Sequence, residues 1–243
     1  MANVSAALVR RLHERTGADL THCRKALEEA EGDFARAEAQ LLAELAEIDD
    51  IEDDDADDDA NSLKNQFLIA MPGLEDDNFS HTVSLLCEHN DRGAIGLVIN
   101  RPTDLTLTAM LDQMGVKHEG MTDDQHVVFW GGPVQPERGF VVHAGPGGWE
   151  SCMPIGHDLY ITTSRDVLAA IGEGQGPSEF LVTLGYAGWG AGQLESEILQ
   201  NSWLNTPVDA KVLFKMPARD RWQQATRLLG LDVTQLASGA GHA

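Results

Sequence analysis

Cys87 and His89, in the run Val83-Ser84-Leu85-Leu86-Cys87-Glu88-His89, are the pair in this chain whose types and spacing best suit nucleophilic chemistry. Val83, Leu85, Cys87 and His89 alternate as one face of a β-strand does. On that reading a thiol and an imidazole share a side near the strand's end. An adjacent imidazole favours the thiolate, the reactive form of cysteine. The same letters also describe a core thiol next to a hydrogen-bonded structural histidine, and neighbours on one strand rarely meet in the geometry that proton transfer needs.

Three further clusters carry candidate ligand groups. Gly185 through Gln193 is glycine-rich and precedes a helix, so its backbone N–H groups could receive an anion, with Tyr186, Trp189 and Gln193 beside it. Its spacing matches neither nucleotide-binding glycine pattern, and a turn that packs aromatic rings explains it as well. Thr163, Ser164 and Arg165 could line a polar cleft, with Arg165 offered to a carboxylate or phosphate. Helix capping alone also accounts for the hydroxyls and for Asp166. Asn100 and Arg101 precede Pro102 at a strand exit, in the kind of loop that frames clefts. The histidines show no metal-ligand spacing, and Cys23, Cys87 and Cys152 are too far apart for a zinc site or a disulfide framework. No metal and no cofactor is expected.

The elements that must position these groups fall into two unlike parts. Residues 47 to 60 hold ten acidic residues and no basic one. Charges so dense repel one another, and two isoleucines offer too little apolar surface to offset chain entropy. A solvated linker over 47–62 is expected, between a module at 1–46 and a domain at 63–243. The net charge of −22 is spread along the chain, with six basic against eight acidic residues before the linker and eleven against twenty-one after it. Such a surface repels phosphate backbones and counts against direct nucleic-acid binding. The first residues lack the apolar core of a signal peptide, and no apolar run reaches spanning length, which leads to the expectation of a cytoplasmic protein.

In the first module, Val4, Leu8 and Leu12 predict one helix closed at Gly17. Leu20, Cys23, Ala26, Leu27 and Ala30 predict a second, ended by Gly32. Phe34, Ala37, Leu41 and Leu45 predict a third, capped by Asp33. Three short helices have too little depth to enclose a reaction, so docking is the expected use. The strings Leu8-Val9, Arg15-Thr16-Gly17-Ala18, Cys23-Arg24-Lys25-Ala26-Leu27 and Gly32-Asp33 resemble the UBA-like N-terminal domain of bacterial elongation factor Ts. That resemblance implies contact with the GTPase domain of elongation factor Tu through Thr16, Gly17, Ala18, Arg24 and Lys25. It ends near residue 45, and the family's nucleotide-exchange core has no counterpart. Reuse of the three-helix scaffold for another partner fits the residues equally.

From residue 63 onward, short strands alternate with scattered helices. Phe67–Met71, a hairpin of Val83–His89 with Ala94–Asn100, Val127–Trp130, Gly139–His143, Leu159–Thr162, Phe180–Tyr186 and Lys211–Met216 read as strands. Leu105–Met114, a segment from Arg165 to Gly172, Gln193–Asn201 and Arg219–Leu229 read as helices. Hairpins dominate, so the expected class is α+β, with a mixed, largely antiparallel sheet in one domain.

The strings Phe67-Leu68-Ile69-Ala70-Met71-Pro72, Cys87-Glu88-His89-Asn90, Gly96-Leu97-Val98-Ile99-Asn100-Arg101-Pro102, Gly131-Gly132-Pro133-Val134, Leu184-Gly185-Tyr186-Ala187-Gly188-Trp189 and Asp220-Arg221-Trp222 resemble the AlgH/YqgE family over 63–243. The resemblance implies an α/β fold and, in some members, a regulatory label. No complete catalytic signature is present. The reading is a non-enzymatic adaptor or regulator. The alternatives are a thiol-dependent enzyme or redox protein using Cys87 and His89, or a transcriptional regulator acting through protein partners.

Overall fold

A computed structural model describes residues 8–9, 11–12, 15, 20–30, 32–39, 62–74, 76–119, 121, 126–145 and 147–230. Ten strands form one sheet: β1 (Gln66–Ala70), β2 (Val83–Asn90), β3 (Gly93–Val98), β4 (Pro102–Thr106), β5 (Val127–Trp130), β6 (Val134–Ala144), β7 (Cys152–Gly156), β8 (Leu159–Thr162), β9 (Phe180–Gly190) and β10 (Trp203–Pro207). The main path runs β10-β1-β2-β3-β9-β6-β8-β7, with β5 paired to β9 and β4 to β5. All pairings are antiparallel except β5 with β9. The mixed, largely antiparallel layer expected from the hairpins is the one observed.

Strand β9 is the hub. Its first half lies between β5 and β6, while its second half pairs with β3. Midway, Gly185 adopts φ +72°, and a side chain there would strike the Gly132 carbonyl at 2.4 Å. The left-handed residue breaks the two-residue alternation. Val182 and Leu184 pack on one face, whereas Tyr186 packs on the other.

The sheet is covered on both faces. One carries a core of Phe67, Leu85, Leu97, Phe129, Val142, Ile161 and Tyr186, closed by α5 (Ala218–Leu228) and a single π-helical turn at Lys211–Lys215. The opposite face holds two separate clusters. Trp189, Trp203 and Leu86 pack with Leu194 of α4 (Gln193–Leu199). Val128, Val141 and Val182 pack under α2 (Leu107–Gln113) and α3 (Arg165–Gly172). Burying one leucine-sized side chain contributes roughly 1.5–3 kcal/mol, so these layers supply the main driving force.

Several local expectations are corrected. Lys211–Met216 is not a strand. The Met216 N–H donates to the Lys211 carbonyl at 2.9 Å, which closes a helical turn in place of a strand ladder, with Val212 and Leu213 buried inside it. Asp209 starts that turn by accepting the Val212 N–H at 2.9 Å. The last strand is β10, an edge strand whose polar Asn205 and terminal Pro207 mask its pattern. β4 and β7 were hidden in the same way by Pro102 and Pro154. Helix α2 starts two residues later than expected because the Thr106 side chain accepts the Ala109 N–H and caps it.

Ahead of the sheet, α1 (Leu20–Glu29) and helical residues 34–39 are described. Val9, Leu12, Cys23, Ala26, Leu27, Ala30 and Ala37 form a hydrophobic cluster of their own. Thr16, Gly17, Ala18 and the expected linker at 47–61 lie outside the described residues. So do the third helix's Leu41 and Leu45.

Backbone contact makes one glycine indispensable. Gly93 sits at φ +140°, and an added Cβ would lie 2.1 Å from the Trp189 carbonyl oxygen. Gly93→Ala is expected to destabilise the protein by more than about 3 kcal/mol in urea unfolding. Gly139→Ala, whose new carbon meets only Leu184 at 3.9 Å, should leave the midpoint within about 1 kcal/mol of wild type.

Candidate functional site

A β-bulge separates the thiol from the imidazole. The β2–β3 register runs Leu86↔Gly96 and then Glu88↔Ile95, leaving Cys87 as the extra residue. Cys87 packs in the core with Val83, Leu85 and Ile95. His89 instead pairs with Ala94, which belongs to the tryptophan cluster on the opposite face. The expectation that alternation puts both on one side is therefore overturned by one residue of slip. Burial pushes the Cys87 thiol far up, the charge of Glu88 adds to this, and Lys64 opposes it. Its thiol donates to the Leu85 carbonyl at 3.6 Å. His89 accepts the Leu63 N–H at Nδ1 (3.0 Å), which leaves Nε2 to donate to Glu195 at 3.0 Å. The ring pins the start of the domain to α4.

The glycine-rich segment continues β9 instead of forming a loop, and the side-chain polar groups of Trp189 and Gln193 are occupied. Tyr186 is buried against Phe140. Glu197 of α4 accepts the indole N–H of Trp189 at 3.0 Å, that of Trp203 at 2.7 Å and the Gln193 amide at 2.9 Å. The Gln193 oxygen in turn receives the Gly190 N–H. Asn100 takes the Val83 N–H and donates to the His81 carbonyl, both at 2.9 Å. Arg101 donates to the carbonyls of Asp77 and Ser80 and lies over the Trp130 ring at 5.3 Å. Burial lowers its pKa, with Asp76 opposing. These residues hold the 76–82 segment against the sheet.

Thr163, Ser164 and Arg165 do meet at a cleft, between α2 and α3, of about 420 Å³. Its walls are Met110, Leu168, Val141, Val182 and Leu184, and Gln113 and Glu137 join the three predicted residues among its polar groups. Arg165 donates from Nη2 to the Met114 carbonyl at the end of α2, so it bridges the two helices that flank the opening. Ser164 occupies the N-cap position of α3 but does not cap it, contrary to the capping-box reading. Its hydroxyl donates to Asp166 and accepts the Ser151 N–H. Asp166 also takes the N–H groups of Glu150 and Val167. Burial opposes the charge of Asp166, but these hydrogen bonds win and hold its carboxyl below the usual range.

A family model described as AlgH-like matches residues 67–234. The chain belongs to the AlgH-like family. A UPF0301 protein of Thioalkalivibrio sulfidiphilus is 52% identical over 184 residues, covering 76% of this chain and 98% of that protein. A UPF0301 protein of Bordetella pertussis is 52% identical over 197 residues, 81% of this chain and 96% of the relative. The solution structure of the AlgH protein from Pseudomonas aeruginosa shares 44% identity and a TM-score of 0.62, over 78% of this chain and 100% of that one. A Corynebacterium diphtheriae protein of 19% identity, with a TM-score of 0.58 over 77% and 95% of the two chains, shares the fold.

The AlgH-like domain also assembles a cysteine–histidine pair that sequence reading missed. Cys152 and Thr162 are register partners on β7 and β8, and Thr162 faces Val141 on β6. His143, two residues further along β6, brings Nε2 to 3.0 Å from Thr162 Oγ1 and 3.8 Å from Cys152 Sγ. Trp149 meets its ring edge-on and Tyr160 stacks on it. Pairing across three strands leaves no local spacing to read. Burial pushes the His143 pKa below 6.5, with the neighbouring Ala144 backbone partly offsetting it. Among the described residues no helix is long and apolar enough to cross a membrane, and no group of three or more His, Cys, Asp or Glu is placed to hold a metal.

Exposure ranks the two AlgH-domain thiols. Iodoacetamide at pH 8 should alkylate half-buried Cys152 in the native protein and spare buried Cys87, read by peptide mass spectrometry. His143 gives a pH signature. A ring whose pKa is depressed by folding takes up a proton more readily when unfolded, so the stability it contributes is present above about pH 6.5 and falls as pH drops below that. Urea midpoints for His143→Phe between pH 7 and 5 should therefore decline less steeply than those of wild type.

Proposed function

We propose that this chain is a non-enzymatic adaptor, in which the N-terminal helical segment docks a protein partner and holds the AlgH-like domain near it. The carrying observation is the contrast in how the two parts use their polar groups. In the AlgH-like domain, Cys87, His89, Asn100, Arg101, Trp189 and Gln193 are each spent on internal hydrogen bonds. In the N-terminal segment, Arg24 and Lys25 face solvent beside a cluster that buries Cys23, Ala26 and Leu27. A cationic pair on a small helical surface suits an acidic or carbonyl-rich partner face. The resemblance to elongation factor Ts supports elongation factor Tu as that partner. On this reading a regulatory effect arises through protein partners, and the net charge of −22 supports such a route over direct contact with DNA.

Thiol catalysis by Cys87 with His89 has no support in this geometry, because the bulge sets them on opposite faces. Calorimetric titration of the full chain with elongation factor Tu should give saturable binding. The double variant Arg24→Glu, Lys25→Glu should weaken it by about tenfold or more, since charge reversal at a docking face replaces attraction with repulsion. Absence of binding by the wild-type chain would remove this partner, and binding unaffected by the double variant would move the docking face elsewhere.

A further inference from the structure

We propose that the cleft between α2 and α3 binds an amphipathic monocarboxylate, its apolar tail lying on the sheet and its carboxylate on Arg165. The floor is apolar: Val141, Val182 and Leu184 rise from β6 and β9, with Met110 and Leu168 closing the sides. At Gly139 the chain lacks a side chain where one would fit without strain, since a Cβ would meet only Leu184 at 3.9 Å. That omission keeps the floor deep. A cleft of about 420 Å³ lies in the range of small-ligand sites and suits a tail of about eight carbons.

The head group follows from the cation at the rim. Arg165 is exposed, lines the cleft and, among the described residues, makes one hydrogen bond, from Nη2 to the Met114 carbonyl. That bond fixes the guanidinium's position and leaves the rest of its five N–H donors for a ligand. Among the described residues it forms no ion pair. Thr163 stands beside it as a further hydroxyl. A single negative charge is favoured over two, because Glu137 lies on the same cleft and the chain carries −22 overall. Turnover is not part of the site. Ser164, the hydroxyl nearest Arg165 in sequence, is engaged by Asp166 and Ser151.

Calorimetric titration of the full-length protein with octanoate, hexanoate, octan-1-ol and octyl phosphate tests this assignment. Octanoate should bind saturably, with each methylene removed weakening affinity by about fourfold. Octan-1-ol should bind about tenfold more weakly, and Arg165→Gln should abolish that preference in a protein that thermal unfolding shows to be still cooperatively folded. Gly139→Leu, which fills the floor, should eliminate binding of both ligands, and Arg165→Gln keeps the test open if that variant fails to fold. No saturable heat from octanoate at millimolar concentration would overturn the proposal. So would equal affinity for octanoate and octan-1-ol in wild type, or tighter binding of octyl phosphate than of octanoate.

Discussion

The fold depends on one strand being shared. β9 pairs with β5 and β6 along its first half and with β3 along its second, so its eleven residues join the two halves of the sheet. A strand in three ladders cannot keep one alternation throughout, because the faces it must bury change along its length. Gly185 solves this by taking a conformation that costs other residues free energy, and it does so where the Gly132 backbone comes too close for any side chain. The bulge at Cys87 makes the matching adjustment in β2. Both irregularities bend the sheet as well as reassigning faces.

The strongest motifs of the chain serve this bend. Asn100 and Arg101 bind the 76–82 segment where β3 ends. Arg221, buried on α5, donates to the carbonyls of Ile99 and Met216 and lies over the Phe129 ring at 4.9 Å, with burial pushing its pKa down to about 10. Glu197 collects two indoles and an amide. A buried polar group left without a partner costs about 1–3 kcal/mol, and each of these side chains removes such a cost from backbone C=O or N–H groups or from ring N–H groups that the bent sheet would strand. Residue types that look catalytic in a linear reading are here the fasteners of irregular backbone.

The cleft is a consequence of the same arrangement. α2 and α3 lie over the half of the sheet where β6 and β9 present Val141, Val182 and Leu184, and Gly139 lines the cleft beneath them. Arg165 and Met114 tie the helices, and at the same end of α3 Asp166 with Ser164 holds the 150–151 loop. Its polar residues come from α2, β6 and the segment entering α3, which pairing and packing alone bring together.

Local spacing was enough for much of this molecule. Apolar runs bounded by turn residues located β1, β2, β3, β5, β8 and the helices α3, α4 and α5, because burial of one face imposes a period on consecutive residues. The family strings named the AlgH-like domain, and the Thr163-Ser164-Arg165 run pointed to the cleft it lines. What escaped was every feature set by a partner distant in sequence. Edge strands β4, β7 and β10 carry prolines and polar residues that only an unpaired edge tolerates. The side on which Cys87 or His89 projects depends on a one-residue slip against β3. The meeting of His143, Thr162 and Cys152 needs three strands in register. Composition and period are properties of neighbours along the chain, whereas register, bulges and clefts are decided by which backbones pair, and that choice is made only when the whole sheet closes its core.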